Sequence, residues 1–232
     1  MKKSLFGVFI LLLVMVMAVS CGGKKKMVQK SAPAPAYMGL NEKLQSGEYQ
    51  QKAESFLIIL DSSGTMQESF KGTKKMAIAK NFVERLDKTL PDIGLTGGMR
   101  TLGQYFTNST RLAYGMKSYN RGDLTKATKN LQVGGMTPLG AAIKAGTGDL
   151  EAAPGNIAVI VVSDGIDTDK SSTKNAKAMK AKYGDRVCIY TVLVGSEDPE
   201  SIKTMQAIAD AGECGSYQSA KYLESPDSMG EW

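Results

Sequence analysis

The sequence contains no histidine among its 232 residues. Histidine is the most frequent general base in enzymes, and it is the central residue of Ser-His-Asp and Cys-His arrangements. It is also a common zinc ligand. The absence of histidine therefore excludes most familiar hydrolase mechanisms and every metal site built on imidazole.

The chain also lacks a concentrated basic patch of the kind that binds nucleic acid. Its formal net charge is +6, but beyond the first few tens of residues the lysines are dispersed among acidic residues, as on an ordinary solvated surface. We therefore expect no nucleic-acid partner. With 42% hydrophobic residues, this length can bury one core, and one domain with extensions is expected.

The amino-terminal residues have the three parts of a secretory signal. Lys2 and Lys3 precede an apolar run, and small residues precede Cys21. The tetrapeptide at 18–21 resembles the lipobox of bacterial lipoproteins, in which the cysteine is lipidated and becomes the new amino terminus. An uncleaved transmembrane helix is the alternative, although the shortness of the run favours cleavage. We predict a signal peptide at residues 1–20 and lipidation at Cys21.

A linker is predicted to follow, over residues 21–52, because most of this segment is rich in Gly, Lys, Ser and Ala-Pro and has no apolar period. Three lysines at 24–26 would lie against lipid headgroups. Gly22 follows the cysteine where the sorting rule of Gram-negative lipoproteins would need aspartate for retention in the inner membrane. The expected location is therefore the outer membrane, with the folded part in the periplasm.

The most informative stretch is an apolar run at residues 56–60 that ends at Asp61. A run without alternation predicts a strand buried on both faces of a parallel sheet. Asp61, Ser63 and Thr65 follow at alternate positions, and Gly64 can bend the backbone between them. Three hard oxygens converging at a strand end suit Mg²⁺ or a similar hard cation. A plain polar turn is the alternative, since Asp, Ser and Gly are common in turns.

This Asp-x-Ser-x-Thr pattern resembles the start of the metal-ion-dependent adhesion site of von Willebrand factor type A domains. Two later motifs extend the resemblance. Thr137 lies in a Gly-x-Thr-Pro loop, where the family has its next metal-facing hydroxyl. Asp164 ends a second unbroken apolar run at residues 157–162 and matches the family's second site aspartate. The resemblance covers about residues 53–232, which we predict to be one domain.

The alternation of strands and helices predicts a doubly wound α/β fold. By resemblance, the six main strands lie in the order three, two, one, four, five, six, mostly parallel, with helices on both faces and one antiparallel edge strand. Strands are predicted at 56–60, 97–106, 110–119, 157–162, 187–194 and 215–220. Helices are predicted at 76–90, 124–131, 139–150, 176–182 and 202–211, and residues 225–232 look like the first turn of another.

Cys188 and Cys214 lie near the starts of the last two strands, which should be neighbours. A disulfide between them is predicted for an oxidising compartment, and two buried free thiols are the alternative. Closing this loop would contribute about 3.5 kcal/mol in the chain-entropy model.

The resemblance implies a protein-binding function without catalysis. Ser63, Thr65 and Thr137 would ligate one divalent ion directly (Mg²⁺, or Mn²⁺ or Ca²⁺), while Asp61 and Asp164 would act mainly through water. A carboxylate from a partner protein would complete the coordination.

Two alternatives stay open. A haloacid-dehalogenase-type phosphatase also begins with an aspartate at a strand end, but it needs a second aspartate at position 63, where this chain has serine. The other alternative is a structural lipoprotein of the envelope that retains these residues as a polar turn without metal.

Overall fold

A computed structural model of the chain describes residues 40–104 and 109–232. The strands are β1 (Ser55–Ser62), β2 (Ser69–Phe70), β3 (Thr73–Lys74), β4 (Thr96–Gly103), β5 (Thr110–Ser118), β6 (Ile157–Ser163), β7 (Val187–Leu193) and β8 (Tyr217–Ser219). The helices are α1 (Leu40–Gln45), α2 (Lys75–Thr89), α3 (Asp123–Lys129), α4 (Leu139–Asp149), α5 (Ser172–Tyr183), α6 (Pro199–Asp210) and α7 (Pro226–Glu231).

The main sheet has six strands in the order β5-β4-β1-β6-β7-β8. β5 pairs antiparallel with β4, and the other neighbours are parallel. Strands β2 and β3 form a separate small hairpin. The predicted fold class and strand order are confirmed, and the first and fourth main-sheet strands, β1 and β6, are direct neighbours.

All eight residues of β1 are buried, as expected for a central strand covered on both faces. Alternate side chains point to opposite sides. Ile58 and Leu60 pack in one apolar cluster with residues of α2, whereas Leu57 and Ile59 pack in a second cluster with residues of α4, α5 and α6. Helices therefore cover both faces of the sheet and hold β1 rigidly between them.

Helix α2 forms because its apolar residues recur on one face. Met76, Ala79, Phe82, Val83 and Leu86 are buried. The helix ends at Thr89, two residues before Pro91, whose ring disfavours helical backbone at the preceding residue.

Regular structure begins earlier than the sequence pattern indicates. Helix α1 lies within the segment predicted to be a linker, and residues from Leu40 onward share one compact unit with the sheet. Asn41 Oδ1 accepts a 3.4 Å hydrogen bond from Asp92 N, which ties α1 to the α2–β4 connection. A helix of 6 residues is too short to give the apolar period on which the sequence prediction depends.

Other predicted elements are confirmed with shifted ends. Helix α5 begins four residues before the predicted start, and β8 is shorter than predicted. The final turn of helix is present as α7, where Ser225 Oγ accepts a hydrogen bond from Ser228 N. The part of the β4–β5 connection at 105–108 lies outside the described residues.

Cys188 and Cys214 form the predicted disulfide. It links β7 to the segment that precedes β8, and these two strands are parallel neighbours.

The predicted signal peptide, the lipidated Cys21 and the linker up to residue 39 lie outside the described residues. Within residues 40–104 and 109–232, no helix is long and apolar enough to cross a bilayer.

Candidate metal site at the carboxyl end of the sheet

The carboxyl ends of β1 and β6 place Asp61 next to Ser163. The two strands pair in register up to Leu60 and Val162. Asp61 is fully buried. Its Oδ1 accepts a 2.8 Å hydrogen bond from Ser63 N, and its Oδ2 accepts a 2.6 Å hydrogen bond from Ser163 Oγ. Asp61 therefore fixes the turn after β1 and links it to β6.

That turn brings two hydroxyl groups together. Ser63 Oγ and Thr65 Oγ1 are 3.1 Å apart. Adjacent ligands of an octahedral Mg²⁺, each at about 2.1 Å from the ion, stand about 3 Å from each other. The spacing of these two oxygens thus fits one small divalent cation, with the Asp61 carboxylate behind them.

Thr137 reaches the same edge through backbone hydrogen bonds. Gly134 N donates to Ser62 O and Gly64 N donates to Gly135 O, both at 2.9 Å. Thr137 is 1% exposed. Its place in a loop that is hydrogen-bonded to the turn after β1 makes its hydroxyl a candidate metal ligand.

Asp164, the residue after β6, is paired with a lysine. Lys75 Nζ lies 3.0 Å from Asp164 Oδ2 and 2.8 Å from Glu68 Oε2. The Asp164 side chain is 1% exposed and the Lys75 side chain 11%. The repulsion between the Asp61 and Asp164 carboxylates is therefore partly offset by the neighbouring Lys75 ammonium.

Burial and charge act on Asp61 together. Desolvation, followed by the nearby Asp164, raises the pKa of Asp61 to about 6, although the hydrogen bonds from Ser163 and Ser63 oppose the shift. An ionised Asp61 is thus held in an environment that penalises its charge. A cation next to it would remove the penalty.

Two loop carboxylates near the site, Asp167 and Asp169, have structural roles. Asp167 is half-buried, and its Oδ2 accepts a 3.1 Å hydrogen bond from Ser172 N at the start of α5. Asp169 is exposed and accepts hydrogen bonds from Gly140 N and Ala141 N at the start of α4. An acidic side chain at a helix start is stabilising, and here it ties the β6–α5 loop to the loop of Thr137.

A polar crevice adjoins the site. It has a volume of about 820 Å³ and is lined by Glu68, Lys75 and Asp164 together with residues of the β6–α5 loop, α5 and α6. The crevice opens at the carboxyl ends of β6 and β7, where doubly wound folds bind ligands.

The donor set fits a hard cation. Among the described residues, no three carboxylate or cysteine side chains cluster as metal ligands. The oxygens that do converge are hydroxyls with carboxylates around them, which suits Mg²⁺ or Mn²⁺ better than zinc. The structure thus brings Asp61, Ser63 and Thr65 together in one turn and joins the loop of Thr137 to that turn through backbone hydrogen bonds. It places Asp164 directly after the neighbouring strand, β6. Their assignment as metal ligands stays a prediction.

Lys75 and Ser163 are the site residues that the sequence analysis overlooks. Ser163 precedes Asp164 at the end of an apolar run, and a polar residue at a strand end is a pattern that could have indicated its role. No sequence pattern indicates the role of Lys75, because that role depends on the packing of α2 against β6.

A doubly wound sheet with hydroxyl and carboxylate groups at its switch point defines the class of protein. The family model of the von Willebrand factor type A domain matches residues 56–229. Because this match covers most of the chain, the chain belongs to that family. A comparison with curated protein sequences finds no match.

Solved structures share the fold. An aerotolerance-related membrane protein from Bacteroides fragilis aligns with a TM-score of 0.57 and 18% identity, covering 73% of this chain and 94% of that one. BatB from Bacteroides thetaiotaomicron, described as a conserved hypothetical protein, aligns with a TM-score of 0.55 and 18% identity, covering 76% and 98%. The manganese-loaded TRAP protein of Plasmodium vivax aligns with a TM-score of 0.52 and 19% identity, covering 77% and 72%.

Proposed function

We propose that this chain binds one divalent cation at the carboxyl ends of β1 and β6 and uses it to bind a partner protein. The observation that carries the proposal is the pair of hydroxyls on Ser63 and Thr65, 3.1 Å apart over a buried Asp61. Neutral hydroxyls leave a bound cation electrophilic, so a carboxylate offered by a partner forms a strong bond to it.

Each residue then has a defined task. Ser63, Thr65 and Thr137 would hold Mg²⁺, Mn²⁺ or Ca²⁺ through their hydroxyl oxygens. Asp61 orients Ser63 through the hydrogen bond that it accepts from Ser63 N, and Asp164 adds negative charge from the end of β6. The sheet excludes water from behind the turn, since Asp61 and Ser63 are fully buried. These residues together preorganise a metal site that can accept a carboxylate from a partner protein.

The proposed setting is the cell envelope. The signal-like sequence before Cys21 supports a lipid anchor. Gly22, by the sorting rule, favours the outer membrane, with the domain facing the periplasm. The Cys188–Cys214 disulfide supports an oxidising compartment. The aerotolerance-related fold neighbour is itself described as a membrane protein.

Binding without catalysis is favoured over the phosphatase alternative by the chemistry of position 63. Hydrolysis through an aspartyl intermediate needs a second acid beside Asp61. Ser63 occupies that place, and its hydroxyl contacts Thr65.

Partner capture tests the function. Wild-type chain should retain an envelope protein in Mg²⁺ and release it in EDTA, and Asp61→Ala should fail to retain the same protein in either buffer. Asp210→Ala, which changes an exposed aspartate on α6, is the matched control and should behave as the wild type does. Equal capture in Mg²⁺ and EDTA would instead favour the metal-independent structural lipoprotein.

A further inference from the structure

A second cavity, of about 250 Å³, lies between α2, the β2–β3 hairpin and the carboxyl ends of β7 and β8. Neither Asp61 nor Asp164 lines it. Its polar and charged lining comes from Lys71, Thr73, Asn81, Arg85, Ser219, Lys221 and Glu224. The cavity is thus separate from the candidate metal site.

Arg85 is the unusual member of this lining. The residue is 5% exposed. Its Nε donates a 3.2 Å hydrogen bond to Leu223 O, but its Nη2 is buried and has no hydrogen-bond partner among the described residues. A guanidinium stays protonated even when buried, and an unpaired charged donor inside a protein is costly. The fold therefore retains a buried positive group with an unused donor beside a cavity.

The surrounding charges favour an anion. Lys71 and Lys221 add two ammonium groups to the lining, against the single carboxylate of Glu224. Glu224, followed by Glu84, acts on the Arg85 guanidinium through space, and among the described residues neither forms an ion pair with it. Ser219 Oγ accepts a hydrogen bond from Tyr222 N, which leaves its own proton to donate. The lining is net positive and rich in donors.

We propose that this cavity is a binding site for a small oxyanion, namely a phosphate or carboxylate group held by Arg85. A planar guanidinium presents two parallel N–H donors that match the oxygens of either group. Lys71 and Lys221 at the rim attract the anion, and Arg85 supplies the buried contact. The site needs no metal, so it stands independently of the function proposed for the Asp61 turn.

The test uses the full chain, labelled with ¹⁵N, in detergent and EDTA at constant ionic strength. Inorganic phosphate and acetate are titrated separately while the Nε–Hε resonance of Arg85 is followed. At least one probe should produce a saturable shift. Tighter binding of phosphate would assign the site to phosphate groups, and tighter binding of acetate to carboxylates.

Variants make the result specific. Arg85→Met should weaken anion binding by about tenfold or more, because a charge-assisted hydrogen bond is lost. Binding to this variant is followed on the backbone amide resonances of Ser219 and Lys221. Arg121→Met is the matched control and should bind as the wild type does, since the Arg121 guanidinium already donates to Lys88 O and Leu90 O. If Arg85→Met does not fold, Lys71→Met and Lys221→Met decide, and each should weaken binding.

Two outcomes would overturn the proposal. One is a shift of the Arg85 resonance that grows without saturation for both anions, which would mean that Arg85 is hydrated and binds neither anion. The other is saturation that is unchanged in both Lys71→Met and Lys221→Met, which would place the bound anion elsewhere.

Discussion

Asp61 is a carboxylate in a place where charge is unfavourable. It is fully buried at the end of a central strand, and two hydrogen bonds do not offset the desolvation that raises its pKa to about 6. A buried acid kept at such a cost is typical of a functional site. Because this burial disfavours the ionised carboxylate, the role of Asp61 can be tested by measuring stability in the absence of metal.

Without metal, Asp61→Asn should stabilise the fold at neutral pH. The pKa of Asp61 in the folded chain lies above its ordinary value of 3.8, so ionisation is penalised more in the folded state than in the unfolded state. The penalty is absent below about pH 4, grows as the pH rises, and is fully present above about pH 6. In EDTA at pH 7.5, we expect the variant to gain on the order of 2 kcal/mol in urea unfolding.

At pH 4 the two proteins should unfold at the same urea concentration. Asp210→Asn, an exposed substitution, should show no such pH-dependent difference. A variant that is less stable than the wild type at pH 7.5 would contradict the account of Asp61.

Lys75 occupies one oxygen of Asp164 with its own positive charge. This ammonium competes with a divalent cation for the same carboxylate. Lys75→Met should therefore raise the affinity for Mn²⁺ by about tenfold, as expected for removing a repulsive charge close to the ion. Calorimetry measures the effect directly, and Lys74→Met, one residue earlier and exposed, is the control. Unchanged or weaker binding in Lys75→Met would mean that the lysine holds Asp164 in place instead.

At the scale of elements, two strands determine the site and both are readable in the sequence. The apolar runs that end at Asp61 and Asp164 predict buried neighbouring strands, and β1 and β6 are such neighbours. The residues that line up at those ends follow from this pairing. Family resemblance adds the loop of Thr137, which no local pattern would place beside β1.

Contacts between distant elements could not be predicted. Lys75 meets Asp164 across 89 positions of sequence, and Asp169 meets the start of α4 across 28 or more. Helix α1 was not predicted because its 6 residues are too few to show an apolar period. Sequence patterns report which face of an element is buried, and they do not report which loop then packs against it.

Gly103 is where three of these loops meet. Its φ is +79°, and an added Cβ would lie 2.7 Å from Ser63 Cα and from Gly134 O. These are backbone atoms that cannot move independently of the site. Gly103→Ala should destabilise the fold by about 2–4 kcal/mol and weaken Mn²⁺ binding, because it displaces the turn of Ser63.

Gly115→Ala, in β5, is the matched control because nothing lies within 4 Å of its added Cβ. Urea unfolding and calorimetry measure both effects. Wild-type metal affinity in Gly103→Ala would show that the junction does not position the site.

At the scale of the whole molecule, the chain joins a rigid domain to a segment predicted to anchor it in a membrane. Cys21→Ser should move the protein out of the membrane fraction, because lipidation of that cysteine would be lost. Immunoblotting of fractionated cells detects the change. Cys188→Ser, which removes a disulfide cysteine and leaves the anchor, should stay with the membrane. An intact amino terminus on membrane-bound wild-type protein would contradict the lipoprotein prediction.

The central claim is that hydroxyl oxygens at the end of β1 hold a divalent cation while the apolar core holds the fold. Calorimetric titration of Mn²⁺ into the full chain tests it most directly, with Ser63→Ala as the variant. Ser196→Ala, which changes an exposed serine of the adjoining crevice, is the control. The account predicts one saturable site in the wild type and in Ser196→Ala, and its loss in a Ser63→Ala protein that still unfolds cooperatively. Equal heats of binding in all three proteins would contradict it.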